Sequence, residues 1–283
     1  MTHEHKILFL TSRSPRHQQD AIDAAPAGCT VIMLRRPSRA EVVQQIRSAE
    51  FLISERAGVV DEGLITAGAN LRLIQRLGSL THDIDLVAAQ RAGIPVCTWP
   101  VMGCILVAEH MVMQMLALLK RLPDAMAVAN QAADWGIASR RTDENVFAYN
   151  WSQRTRLEGL IGKTVGILGF GEIGAELARR LRGFSPAAVL YHKRTRLPAH
   201  AEAELGLTYA EPQEVVAGSD VLCSLLPYTP ETDLWLNAER LATMRRDTYL
   251  VSCGSGSIID EAALAAALRE GRLAGAALDT YEW

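Results

Sequence analysis

The 283-residue sequence predicts an α/β chain built from two doubly wound, parallel-sheet domains. Three observations carry that reading. Short apolar strand signals alternate with polar helical segments in both halves, and a long apolar helix divides the halves. The run VGILGFGEIGAELARRL, residues 165–181, passes from a strand signal through closely spaced glycines straight into a helical pattern.

In the first half, KILFLT (6–11), CTVIML (29–34), EFLIS (50–54), LRLIQRL (71–77) and GIPVCTW (93–99) read as short apolar strands of an open parallel sheet. The N-terminal stretch MTHEHKILFL has too short an apolar run for a signal peptide and reads as the first strand. The first domain ends near Pro100. A helix from about 104 to 121 follows, and within it Glu109, His110 and Gln114 interrupt the apolar run CILVAEHMVMQMLALL. That pattern suits a buried or interface helix better than a membrane span. The polar segment over 121–160 lacks strong strand character. From Lys163 a second series begins: the glycine run, AAVLY (187–191), DVLCSLL (220–226), DTYLVSC (247–253) and LAGAALD (273–279), again with helices between.

Composition fits a chain with material for about two cores: 49% of residues are hydrophobic and 22% charged. A net charge of −3 provides no electrostatic footprint for nucleic acid or an anionic membrane. Cys29, Cys97, Cys104, Cys223 and Cys253 are odd in number and form no CxxC pair. They read as reduced, mostly buried thiols of a cytoplasmic protein.

The glycine run reads as a dinucleotide pyrophosphate site. Gly169 permits a tight turn, Gly171 lets the backbone approach the phosphates, and Gly174 lets the helix pack closely on the strand. Phe170, Glu172 and Ile173 complete the turn and open the helix, whose free N–H groups and positive dipole end face an anion. A GxGxxG by itself is weak evidence, but here a strand signal precedes it and a second strand follows within one βαβ length.

Five longer stretches carry a resemblance across nearly the whole chain. They are RLGSLTHDIDLVAAQRAGIPVCTWP (76–100), VAEHMVMQMLALLKRLP (107–123), LEGLIGKTVGILGFGEIGAELARRL (157–181), LLPYTPET (225–232) and VSCGSGSIIDEAALAAALREGRLAGAALD (251–279). In order, spacing and content the sequence resembles the D-isomer-specific 2-hydroxyacid dehydrogenases. The resemblance implies a flavodoxin-like substrate domain over 1–100, lacking its C-terminal return, and an NAD(P)-binding Rossmann domain over 101–283 with a leading dimerisation helix. It implies an active site in the cleft between them, a 2-hydroxy or 2-keto acid substrate and a homodimer. Gly169 to Gly174, Leu226, Pro227, Thr232, Cys253, Gly254, Ser255 and Asp279 match the family's cofactor contacts. Ser79, Leu80 and Thr81 match the loop whose backbone N–H groups face the substrate carboxylate.

Three departures accompany the resemblance. The slot of the family's catalytic arginine holds Ser255, a short neutral donor in place of a charged, bidentate fork. Losing a stabiliser of that kind costs on the order of 3 kcal/mol, roughly a hundredfold in rate. Next, the sequence stops at Asp279-Thr-Tyr-Glu-Trp283, before the slots of the family's glutamate and acid/base histidine, with Glu282 out of register. A chain that ends just past a core strand is expected to be C-terminally incomplete. His82, in the loop SLTHD, is the candidate replacement for proton transfer, against the plainer reading of a surface or capping residue. His110 reads as an interior or interface histidine, and Leu80 stands where the family has a glycine, narrowing the carboxylate loop.

Finally, NAD-specific members place an aspartate at the end of the second strand, eighteen residues after Gly174, where this sequence has His192. Lys193, Arg194, Thr195 and Arg196 follow. Loss of the acid and gain of a basic cluster favour NADP over NAD, against the plainer reading of a solvated turn.

Two functions remain open: an NADP-preferring oxidoreductase for a 2-hydroxy or 2-keto acid, and a nucleotide-binding sensor or partner-binding module without dehydrogenase chemistry. Methyl transfer is disfavoured, because the GFGEIG spacing and the 251–279 match belong to nicotinamide binders.

Overall fold

Parallel strands of two separate sheets organise the molecule in a computed structural model that describes residues 4–55, 57–131, 141–146 and 154–282. The chain divides into two units, Met1–Cys104 and Ile105–Trp283.

The first unit alternates β1 (His5–Thr11), α1 (Pro15–Asp23), β2 (Cys29–Arg35), α2 (Arg39–Ile46), β3 (Phe51–Ser54), α3 (Glu62–Ala67), β4 (Leu73–Leu77), α4 (Leu86–Arg91) and β5 (Val96–Trp99). Its sheet runs β2-β1-β3-β4-β5, all parallel. That is the flavodoxin-like order. Helix starts follow local chemistry: Ser14, Ser38, Asp61 and Asp85 each accept a hydrogen bond from a first-turn N–H, and Ser38 forms a capping box with Glu41. β1 reads as an apolar run, with Leu8 and Leu10 buried alongside Ile46, Leu52 and Ile74, and Phe9, on the opposite face of the strand, buried as well. Arg76 in β4 breaks that pattern. It is fully buried, paired with Asp83, and its guanidinium also donates to the Ser54 carbonyl at 3.4 Å. A buried charge persists only with such partners.

The second unit contains most of α5 (Met102–Leu119), then α6 (Leu122–Gln131), β6 (Thr164–Leu168), α7 (Glu172–Leu181), β7 (Ala188–His192), α8 (Ala199–Leu205), β8 (Thr208–Tyr209), α9 (Pro212–Gly218), β9 (Val221–Ser224), α10 (Ala238–Thr243), β10 (Tyr249–Ser252), α11 (Glu261–Arg269) and β11 (Gly275–Leu278). The sheet order is β11-β10-β9-β6-β7-β8. Numbered within the unit, that is the Rossmann order, with its switch point between β6 and β9.

Every strand expected from sequence is present: β1 and β2 run one residue longer than expected, β7 is shifted by one, and β3, β4, β5, β9, β10 and β11 are shorter by one to three residues at an end. β8 was not anticipated, since two residues carry no periodicity. The helix expected over 104–121 runs from Met102 to Leu119. By length and composition alone it could span a membrane, but Met111, Gln114, Met115 and Leu119 are buried in the protein. Parts of the polar segment after it, 132–140 and 147–153, lie outside the described residues.

Candidate functional site

The strongest candidate lies at the carboxyl ends of the second sheet. Val165, Ile167 and Leu168 bury β6 completely or nearly so, which brings the chain to Gly169 at the sheet edge facing α7. Gly169 has φ +82°, and a Cβ there would sit 2.7 Å from the backbone of Leu225 and Leu226. Both the left-handed conformation and the close approach demand glycine. The N–H groups of Gly169 and Phe170 donate to the His192 carbonyl at 3.2 and 3.3 Å, tying the turn to the end of β7.

Gly171 is different in kind. It occupies the N-cap of α7, and among the described residues no side chain caps that helix and a Cβ built at 171 meets nothing within 4 Å. The helix therefore begins with uncapped N–H groups and open space above them, the arrangement that receives a phosphate. At Gly174 a Cβ would come within 2.9 Å of the Phe170 ring. The third glycine thus makes room for Phe170, which is buried and packs on Tyr191 at 5.0 Å between ring centroids. Glu172 and Ile173 form the first turn, with Glu172 buried. An empty space that a side chain would fill, over uncapped amides, fits a dinucleotide pyrophosphate.

The end of β7 refines the basic cluster. His192 is half-buried and its Nδ1 lies 3.1 Å from the Ala210 carbonyl. Arg196 is not a free cation for a ligand: it donates twice to Glu202, at 2.8 Å each, and lies over the Tyr209 ring. Tyr191 donates to the same carboxylate at 2.7 Å and accepts from the Leu197 N–H at 2.9 Å. Arg196, and then the Tyr191 hydroxyl, hold the Glu202 carboxyl down at about 2; burial, followed by Glu202, pushes the Tyr191 phenol up. Lys193 is half-buried and Arg194 exposed at the turn. No carboxylate occupies position 192.

Two loops face this turn across the switch point. After β9, Thr232 accepts from the Thr229 N–H at 2.8 Å and donates to the Pro227 carbonyl at 2.7 Å, which orders the stretch containing Leu226 and Pro227. After β10, the N–H groups of Cys253 and Gly254 both donate to Ser224, and that of Ser255 donates to Leu226. A Cβ at Gly254 would lie 2.6 Å from the Leu226 carbonyl oxygen. Ser255 precedes a 3-10 turn at Gly256–Ile258 without capping it through its side chain. Asp279 follows β11, held by its N–H to the Ser252 carbonyl, and the Thr280 hydroxyl donates to the Gly254 carbonyl.

One neighbour was missed by sequence reasoning. His110 Nε2 lies 3.3 Å from Asp279, and one helical turn later Gln114 accepts from the Cys253 thiol at 3.6 Å. The signal was two polar residues four apart in an apolar helix, the spacing that shares one face. Burial, and then the Asp279 charge, push the Cys253 thiol up to about 12.

The remaining sequence candidates belong to the first unit. Leu80 is buried, whereas Ser79, Thr81 and His82 are half-buried. The Arg76–Asp83 pair anchors their loop, and the Thr81 carbonyl accepts from the Ile84 N–H at 2.9 Å.

Comparisons with known proteins agree with this geometry. Residues 112–283 match the NAD binding domain of the D-isomer specific 2-hydroxyacid dehydrogenases. The chain is 33% identical over 252 residues to a glyoxylate reductase of Thermococcus kodakarensis, covering 88% of this chain and 71% of that one. It is 31% identical over 243 residues to a D-3-phosphoglycerate dehydrogenase of Bacillus subtilis, covering 86% of this chain and 43% of the relative. Among solved structures, a formate dehydrogenase from Granulicella matches with a TM-score of 0.55 and 27% identity over 98% of this chain and 82% of its own.

Proposed function

The chain belongs to the D-isomer specific 2-hydroxyacid dehydrogenase family, and from that premise we propose that it is an NAD(P)-dependent oxidoreductase interconverting a small 2-keto acid and its 2-hydroxy acid, with NADP(H) preferred. The observation that carries this reading is the uncapped start of α7 beneath the open space at Gly171, beside a β7 end that bears His192, Lys193 and Arg194 instead of a carboxylate.

When bound, the cofactor supplies the hydride. The N–H groups that open α7 hold the pyrophosphate, and the helix dipole adds to their attraction. Lys193 and Arg194 attract a 2′-phosphate that an aspartate in the same place would repel. Cys253, Gly254 and Asp279, with Leu226, Pro227 and Thr232, form the walls at the carboxyl ends of β9, β10 and β11. The 1–100 region binds substrate, with backbone donors of Ser79, Leu80 and Thr81 on its carboxylate. Ser255 contributes a neutral donor in the arginine slot, and His82 is the candidate proton carrier. The protein is a cytoplasmic homodimer on this reading, consistent with its five free cysteines, of which Cys223 alone is buried where most were expected to be, and with the exposed Met102, Leu106 and Met113 of α5.

Ser255 also supports a second reading, a cofactor-binding sensor or partner-binding module that has lost turnover. Fluorescence titration with NADPH and NADH, followed by assays with a panel of 2-keto acids, separates the two. Binding with reduction of one member of the panel supports the dehydrogenase; tight binding without reduction supports the sensor. Failure to bind either dinucleotide refutes both.

A further inference from the structure

We propose that His110, Cys253 and Asp279 form a binding site for a thiophilic divalent cation, Zn2+ foremost. Three different segments deliver three different ligand types to one place: the middle of α5, the loop after β10, and the end of β11. One ligand atom from each, imidazole nitrogen, thiol sulfur and carboxylate oxygen, lies within 4.8 Å of the other two, and His110 Nε2 is already 3.3 Å from Asp279.

Tetrahedral zinc with nitrogen, oxygen and sulfur ligands at its usual bond lengths sets ligand atoms roughly 3.3–3.8 Å apart. Its longest separation needs to contract by at most about 1.5 Å, a movement of the kind that side-chain torsions supply. Its backbone is already held: Asp279 by the Ser252 carbonyl, Cys253 by the Ser224 carbonyl, and the Thr280 hydroxyl by Gly254. Gln114 Oε1 accepts from the thiol on the same face of α5, and a turn of that amide presents its Nε2–H2 to the thiolate as an outer partner.

The donor set selects the metal. Magnesium and calcium take oxygen ligands in larger numbers, whereas a thiolate with an imidazole suits zinc, cobalt or copper. As the metal–sulfur bond forms, the Cys253 thiol proton leaves to solvent. Three protein ligands leave the fourth position open, as in exchangeable zinc sites rather than closed structural ones. The loop that carries Cys253 and the glycine turn both pack on the 224–226 stretch, so on the dinucleotide reading above Cys253 and Asp279 serve both ligands, and metal and dinucleotide compete.

The test uses cobalt as a spectroscopic stand-in for zinc. Metal-free protein is titrated with Co2+, and thiolate-to-cobalt charge-transfer absorption in the near ultraviolet is followed, with zinc displacing the signal. One equivalent should bind. Cys253→Ser should abolish the band, and His110→Ala or Asp279→Asn should weaken binding by more than about 100-fold, beyond the ~10–100-fold cost of an outer partner. Cys97→Ser, at an exposed cysteine, should leave the band intact, and circular dichroism confirms that each variant is folded. A band that survives in folded Cys253→Ser protein, or no stoichiometric binding in the wild type, overturns the site. NADPH titration with and without one equivalent of zinc tests the competition separately. Unchanged dinucleotide affinity in zinc-loaded protein overturns it, while absence of dinucleotide binding in metal-free protein counts against the cofactor reading alone.

Discussion

Substituting alanine at Gly171 and at Gly169 should separate ligand binding from folding within a single turn. At Gly171 a Cβ meets no atom of the described residues within 4 Å, and its φ of −130° lies outside the left-handed region that favours glycine. Folding stability should therefore change by no more than about 0.5 kcal/mol. The added methyl group instead fills the space over the uncapped N–H groups of α7. Each lost hydrogen bond from those groups to a charged phosphate costs about 1.5–3 kcal/mol, roughly a tenfold to hundredfold loss of dinucleotide affinity. Gly169→Ala does the reverse. Its φ of +82° costs an alanine about 1–2 kcal/mol, and the methyl group would sit 2.7 Å from the backbone of Leu225 and Leu226. A clear fall in melting temperature should result. The assay pairs thermal denaturation with fluorescence titration of NADPH for wild type and both variants. Wild-type affinity in Gly171→Ala would refute the pyrophosphate assignment. An equal loss of stability in the two variants would refute the claim that Gly171 serves a ligand and Gly169 the fold.

Arg194→Ala should lower the ratio of NADPH to NADH affinity by about tenfold, with little change for NADH, and added salt should shrink the wild-type preference; an unchanged ratio would reduce the cluster to a solvated turn. Arg196→Ala should act instead on stability, because its guanidinium is committed to Glu202. Glu202 has a folded value of about 2 against an ordinary 4.5, so its stabilisation is complete above about pH 4.5 and vanishes as pH falls through about 2. Glu202→Gln should lower stability at neutral pH and flatten the acid limb of a denaturation profile between those values; an acid limb identical to wild type would contradict the network. Leu106→Arg, at an exposed apolar position of α5, should shift a dimer toward monomer by light scattering; a wild type that is monomeric at micromolar concentration would refute the dimer.

Much of the architecture was legible before any coordinates. Strands covered on both faces write themselves as unbroken apolar runs, so β6, β9 and β10 were readable, and the glycine spacing announced the β6–α7 turn because Gly169 and Gly174 stand where a side chain would collide. Two-residue β8 left no period to read. Sequence also located the basic run after β7 but could not tell its members apart. Only folding shows that Arg196 turns back to Glu202 under Tyr191, because an ion pair between α8 and the strand end depends on where the helix lands. The same limit hid His110. Its spacing to Gln114 marks a polar stripe on α5, yet its partners lie 143 and 169 positions away at Cys253 and Asp279. Periodicity encodes which face of an element is covered and glycine encodes where the backbone must bend. Which distant side chains meet at the end of a sheet is decided by strand order and register, through contacts that no local pattern contains.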